Sequence, residues 1–456
     1  MTPSNTSTSN DAPTVAQTAA LLDSGRRTSE QLTETALARA ATPRAAAVFN
    51  RLRSEQALLE ARASDSARAA GFRPSVLAGI PVSVKDLFDI AGEATTSGSA
   101  ALADDAPATL DAPVIRRLRL AGAVLLGRTN MTELAFSGLG LNPHFGTPVN
   151  PCDRDIDRIP GGSSSGAAVS VALGIVPAAV GSDTGGSVRI PAALCGLVGF
   201  KSTASRIPLD GVRALSPSLD SIGPIASSVA CCAALDAILS GRRDAAPNPS
   251  APAAYRIGVP RTLVWDGIDA AVGRAVEAAM GRLSAAGSTL VEFEAPEFTA
   301  IVAANSQGGL AAAESFSLFE SLLEKSAARV DPRVRSRIER GRSMSAAQYL
   351  YVLNERNRLQ RRFTERLREV DFWLMPTVPG VAPPIASLAG DEAYYAMNAR
   401  MLRNTSLVNF LDGCAISLPC QESGALPVGL SLVGRTHQDL ALLAAAARLE
   451  GVVRTN

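Results

Sequence analysis

The chain has 456 residues, 46% apolar and 19% charged, with 44 basic and 43 acidic side chains and a net charge of +1. That composition excludes a disordered or fibrous chain and argues for a globular one with a large core. The near balance of charge argues against a nucleic-acid binder, which carries a basic surplus. The six cysteines, at 152, 195, 231, 232, 414 and 420, show no C-x-x-C spacing and read as reduced thiols of a cytoplasmic protein.

In chain order, residues 1–11 (MTPSNTSTSND) are polar and read as a flexible tail without a secretory signal. From Ala12 to about Ser64, apolar residues recur at three- and four-residue spacing, which predicts helices. The segment 76–90, VLAGIPVSVKDLFDI, reads as a strand leading into a turn. VIRRLRLAGAVLLGRTN, 114–130, reads as helix, glycine stop and buried strand. The same alternation recurs at 166–181 and 268–293 and predicts an α/β sheet covered by helices. The longest weakly polar run, 167–181, is broken by Pro177 and is too short for a membrane span of ~20 residues. GRRDAAPNPSAPAA, 241–254, predicts a surface connection between a half spanning 12–240 and a second spanning 255–456. Residues 309–370 predict a long helical region broken near Asp331-Pro332.

Two features point to chemistry. Only three of the 44 basic residues are lysines, Lys85, Lys201 and Lys325. Arginine stays protonated in proteins, whereas a buried lysine can lose its proton, so each lysine is a candidate base. Lys85 follows an apolar segment and reads either as a base or as an ion-pair partner of Asp86 or Asp89. With two histidines only, His144 and His437, the commonest general base is nearly absent.

The second feature is a pair of glycine–serine clusters, GGSSSG at 161–166 and DTGGSVR at 183–189. Successive main-chain N–H groups in such turns form a concavity suited to a phosphate or an oxyanion. Neither cluster has the lysine of a P-loop. G-x-S-x-G matches at Gly162–Gly166 with Ser164 central, but a loop precedes it, and His437 is the sole histidine downstream. A serine nucleophile served by a neutral lysine is the other hydrolase logic.

With these segments in view, the sequence resembles the amidase signature family. GGSSSGAAVSVALGIVPAAVGSDTGGSVRIPA, 161–192, agrees with the signature throughout, including the 24-residue step from Ser163 to Ser187. GIPVSVKD (79–86), GAVLLGRTNMTELAFSG (122–138), NPHFGTPVNP (142–151), DFWLMPTVPGVAPP (371–384) and LPVGLSLVG (426–434) resemble the flanking motifs. The likeness runs from about 70 to 450 and is weak over 240–365.

The resemblance implies one amidase domain over 1–456: an α/β fold with a large mixed twisted β-sheet covered by helices on both faces. It implies a triad of Ser187 as nucleophile, Ser163 as a bridging serine after a cis peptide bond, and Lys85 as base. Main-chain N–H groups of Thr184, Gly185, Gly186 and Ser187 would meet the oxyanion. Ala135, and more weakly Phe136 and Ser137, would lie beside the substrate. Asp183 would brace the oxyanion turn and Arg189 support it, with carboxylate reading as Arg189's other option. Ser164 and Ser165 read as loop-shaping hydroxyls, His144 and Lys201 as structural, and Cys195 as core. The pocket is expected to draw on 135–145 and 300–355. The stripe of Phe316, Phe319 and Leu322 reads as core or, less readily, as a pocket wall.

The implied activity is hydrolysis of a linear amide, with small or aryl amides, esters and carbamates as substrates for the same acyl-enzyme logic. The alternative is a glutaminase-type subunit of an amidotransferase. A catalytically idle scaffold is disfavoured by the intact triad. No cofactor or metal, no nucleic acid and no membrane are implied, and a homodimer is left open.

Overall fold

The computed structural model describes residues 13–242 and 251–454. The expected tail at 1–11 lies outside the described residues, as does 243–250 of the expected connection.

Among the described residues, eleven strands form one sheet: β1 (Phe49–Leu52), β2 (Pro81–Lys85), β3 (Val124–Thr129), β4 (Ala178–Asp183), β5 (Val198–Lys201), β6 (Ser221–Ala226), β7 (Arg256–Pro260), β8 (Thr289–Phe293), β9 (Phe372–Pro376), β10 (Cys414–Pro419) and β11 (Gly429–Gly434). Their order is β1-β3-β2-β4-β6-β5-β10-β11-β9-β7-β8, so strands from both halves of the chain share it. β3, β2 and β4 run parallel, as do β9, β7 and β8, while the strands between them pair antiparallel. The sheet is mixed, as expected.

The strands near the middle are buried throughout and read as apolar runs, because helices cover both faces. Side chains alternate between the faces. Val82, Val84, Ala178 and Val180 feed the largest apolar cluster, while Ala179 joins a second one with Val169 and Val171 of the helix Ser165–Ala172. On that second face Ser83 of β2 meets Ser170 of the same helix, Oγ to Oγ at 2.9 Å.

The helical reading of 12–64 needs one correction. Helices Val15–Asp23 and Ser29–Ala40 form, each opened by a threonine–glutamine capping box. β1 then interrupts them before the helix Ser54–Ala69. Four residues, FNRL, carry no period of their own; β1 exists because it pairs with the edge of β3. Downstream, the helical region divides into Gly309–Ser326, Pro332–Glu339 and Ala346–Arg366. The break falls at Asp331, whose carboxylate accepts the Arg333 N–H at 2.9 Å, with Pro332 in the first turn. No helix among the described residues is long and apolar enough to cross a membrane.

Parallel pairing of β2 with β4 aligns Ser83 with Ala179 and Val84 with Val180. The carboxyl ends of both strands therefore open side by side, where α/β sheets commonly hold their ligands.

Candidate active site

Three segments meet at those strand ends. Lys85 is the last residue of β2, and Ser187 lies in the turn between β4 and the short helix Arg189–Leu194. Ser163 stands just before the helix Ser165–Ala172, and the Gly162–Ser163 peptide bond is cis. The loop is pinned by main-chain hydrogen bonds: Gly162 N–H to Gly138 at 2.8 Å, Thr132 N–H to Ser163 at 3.1 Å, and Ser164 N–H to Ser187 at 3.2 Å. The last of these ties the first serine cluster to the second.

Lys85 is fully buried and its Nζ donates to Ser163 Oγ at 2.7 Å and to Ser182 Oγ at 2.8 Å. It forms no ion pair with Asp86 or Asp89. Asp86 is engaged by Arg128 at 2.6 Å and by Asn50, and Asp89 accepts from Thr95. Burial pulls the Lys85 ammonium from its ordinary 10.5 down to about 7, against the upward pull of Asp220 and then Asp183.

Asp183 organises the turn that follows. Its carboxylate accepts the N–H of Gly186 at 2.8 Å and of Val188 at 3.2 Å, and pairs with buried Arg189 at 2.9 Å. Burial pushes its carboxyl up, but Arg189, then Lys201 and Asn409, outweigh that and hold it well below the usual carboxylate range. Arg189 also donates through Nη2 to Thr405 O and to Asn409 Oδ1, while its buried Nη1 has no partner among the described residues. Of the expected row of oxyanion donors, the Gly186 N–H is the one that Asp183 engages. The N–H groups of Thr184, Gly185 and Ser187 have no acceptor among the described residues. Gly186 supplies shape instead: its φ is +133°, and a Cβ there would lie 2.2 Å from Thr405 Oγ1.

The turn forms the floor of a cavity of about 380 Å³. Ser187, Thr184 and Gly185 line it together with Ala135, Phe136 and Ser137. Leu134 and Ala135 both take positive φ, +49° and +60°.

The sequence model of the amidase family matches residues 31–443. The chain belongs to the amidase family. It is 37% identical over 385 residues to the 2-amino-5-chloromuconic acid deaminase of Comamonas testosteroni, covering 83% of this chain and 82% of that one. It is also 37% identical over 466 residues to a glutamyl-tRNA(Gln) amidotransferase subunit of Chloroflexus aggregans, covering 94% of each. A solved amidase superposes with a TM-score of 0.88 at 32% identity, covering 97% of this chain and 100% of its own. The protein is an amidase, a hydrolase of carbon–nitrogen bonds in amides.

The cavity of this amidase draws on more of the chain than 135–145 and 300–355. Ile301, Asn305, Ala311 and Arg337 come from the expected helical region. Leu215 and Leu219, and Leu402 and Phe410 from the helix Asp391–Phe410, do not. Phe316, Phe319 and Leu322 pack into the core and are absent from the wall. His144 is held by Glu133, Nε2 to Oε1 at 3.1 Å. Cys195 is buried in the core.

Two site residues escaped the sequence reading. Ser182, the second acceptor of Lys85, is one residue from the second cluster but sits in an apolar strand. Asp220 accepts from Thr184 Oγ1 and from the N–H groups of Leu215 at 2.9 Å and Ser216 at 3.1 Å, tying the pocket wall to the turn. Burial raises its carboxyl to about 6, although the Thr184 hydroxyl, the two N–H groups and Lys85 pull it down. Among the described residues no group of three His, Cys, Asp or Glu side chains is arranged to hold a metal ion.

Proposed function

We propose that this amidase cleaves linear amides through a serine acyl-enzyme, with Ser187 as nucleophile, Ser163 as proton bridge and Lys85 as base. The observation that carries the reading is a fully buried amine bonded to two hydroxyls and, among the described residues, to no carboxylate. A neutral amine has two hydrogens and one lone pair. Lys85 would donate to Ser182 and accept the Ser163 proton, while Ser163 accepts the proton of Ser187. A pKa of about 7 makes that base available near neutrality.

Ser187 Oγ then attacks the amide carbonyl. The C–O bond forms, and the oxygen becomes an oxyanion facing the unpaired N–H groups of Thr184, Gly185 and Ser187. Loss of one such donor typically costs on the order of 10²–10³ in rate. Collapse breaks the C–N bond as Ser163 returns its proton to the leaving nitrogen and Lys85 re-protonates Ser163. Water then gives its proton to Ser163 as Ser163 passes one to Lys85, and attacks the acyl carbonyl; collapse breaks the C–O bond to Ser187, whose oxygen regains a proton from Ser163 as Lys85 re-protonates Ser163, and the carboxylic acid leaves. Esters and carbamates fit the same scheme, since the acyl transfer is indifferent to the departing heteroatom.

A glutaminase-type subunit of an amidotransferase, the assembly for which the Chloroflexus aggregans relative is named, is the second reading. The apolar character of most of the cavity wall favours the free-standing hydrolase.

The test is a Ser187→Ala variant beside wild type on a panel of primary amides, anilides and aryl esters, with fluorophosphonate labelling read by peptide mass spectrometry. Label on Ser187 and loss of turnover in the variant are expected. Wild-type turnover by Ser187→Ala would overturn the reading.

A further inference from the structure

The helix Asp391–Phe410 meets the Ser187 turn along one face. Leu402, Thr405, Ser406 and Asn409 recur at three- and four-residue spacing, which places them together on that face. Leu402 and Ser406 line the cavity. Thr405 and Asn409 are buried and bond to the turn itself. Asn409 Nδ2 donates to the Asp183 main-chain carbonyl at 3.0 Å and to Asp183 Oδ1 at 2.9 Å. Thr405 Oγ1 donates to the Gly185 carbonyl at 2.6 Å, with the Leu402 carbonyl as a distant second acceptor at 3.4 Å. No other donor among the described residues reaches the Gly185 carbonyl.

That carbonyl belongs to the Gly185–Gly186 peptide, whose N–H end is held by Asp183 at 2.8 Å. The peptides on either side carry the Gly185 and Ser187 N–H groups, which have no acceptor among the described residues. A peptide between two glycines lacks the Cβ contacts that oppose rotation about its flanking bonds. Packing does not lock Gly185 either: a Cβ there would meet only Leu402 at 3.5 Å and Ser406 at 3.9 Å. At Gly186 the Thr405 side chain fills the space where a Cβ would stand. Two hydrogen bonds therefore fix this peptide, one at each end. Rotation would swing a partly negative oxygen off Thr405 and disturb the N–H groups beside it.

We propose that Thr405 is a positioning residue for the reaction: its hydroxyl holds the Gly185–Gly186 peptide so that the Gly185 and Ser187 N–H groups are aimed at the oxyanion before the substrate arrives. Thr405 is absent from the cavity wall and acts only through the turn. The inference rests on the acyl-enzyme reading above. A donor aimed in advance is worth most where negative charge develops, so the effect belongs to the transition state and not to binding of the amide.

Thr405→Val keeps the β-branched shape and removes the donor. On the best primary amide of the panel above, its kcat should fall by about 10- to 10²-fold with KM within about threefold of wild type. Thr405→Ser restores the hydroxyl and should return kcat to within a few-fold. The trifluoromethyl ketone with the same acyl group reads the oxyanion directly, because addition of Ser187 Oγ to its carbonyl gives a tetrahedral oxyanion. Its Ki should rise in Thr405→Val in proportion to the fall in kcat/KM. The midpoint of kcat/KM against pH should match wild type, since Lys85 and Ser163 are untouched. Circular dichroism checks folding.

A wild-type kcat in folded Thr405→Val overturns the inference. So does a loss carried by KM, a loss that Thr405→Ser does not repair, an unchanged Ki, or a displaced pH midpoint. If Thr405→Val does not fold, Thr405→Ala takes the same measurements. Failure of both to fold also overturns the inference, by making the hydroxyl a requirement of the fold. The acyl-enzyme reading fails separately, by turnover that survives Ser187→Ala.

Discussion

Two lysines at strand ends of one sheet, Lys85 on β2 and Lys201 on β5, are both fully buried and both lowered by burial, with Asp183 pulling each upward. They differ in what receives their hydrogens. Lys201 donates to two main-chain carbonyls, Ser202 at 2.8 Å and Gly413 at 2.9 Å. Lys85 donates to two hydroxyls. A carbonyl only accepts, so Lys201 must keep its hydrogens to hold β5 against the loop before β10. A hydroxyl can also give a proton, so Lys85 has something to accept. Burial makes a lysine easier to deprotonate, but only the neighbour decides whether deprotonation leads anywhere.

Substitution at Lys85 should break the symmetry most sharply. Lys85→Met is expected to lower kcat by about 10³-fold, within the range for losing a general base. Lys85→Arg should fall as far, because a guanidinium does not release its proton. Steady-state hydrolysis of a good amide, with circular dichroism to check folding, measures both. A Lys85→Arg enzyme near wild-type rate would show that the charge, and not the lone pair, matters.

Asp183 stands between the two lysines and should have the next largest effect, on folding. Asp183→Asn leaves Arg189 buried without its anion, which typically costs ~3–5 kcal/mol. Chemical denaturation should show that loss as a lower midpoint. An unchanged midpoint would mean that Asn409 and the Thr405 carbonyl satisfy Arg189 alone. Smaller again is Lys201→Met. It strands the Ser202 and Gly413 carbonyls at a cost of about 2 kcal/mol, and its kcat should stay within a few-fold of wild type. A large kcat defect with intact stability would place Lys201 in the chemistry and dissolve the contrast.

How much of this was readable beforehand follows chain distance. Ser163, Asp183, Ser187 and Arg189 fall within 27 positions of one dense segment, where glycine spacing betrays the turn. Lys85 stood out through the scarcity of lysine. The α/β alternation was legible because helices and strands there carry clear periods. Asp220, Asn409 and Arg337 were not legible as site members. Each lies in an ordinary helix or loop and reaches the site only through packing against the turn or the Phe136 wall. Strand β1 was hidden for the same reason: its pairing partner, rather than its own residues, makes it a strand.

The finest distinction between the two lysines is electrostatic. In the proposed mechanism the neutral form of Lys85 is the base, and its fraction grows as pH rises through about 7, so kcat/KM should climb along a limb with that midpoint. Asp220, itself ionising at about 6, is anionic over most of that limb and favours the charged amine. Asp220→Asn removes the charge while keeping an acceptor for the Leu215 or Ser216 N–H. Lys85 should then lose its proton more readily, and the limb should move towards lower pH by less than about one pH unit. Lys201→Met should leave the limb where it is, since Lys201 is not among the groups that act on the Lys85 charge. A limb that moves upward in Asp220→Asn would mean that this carboxylate takes part in the proton path, because an added anion can only have held the lysine charged.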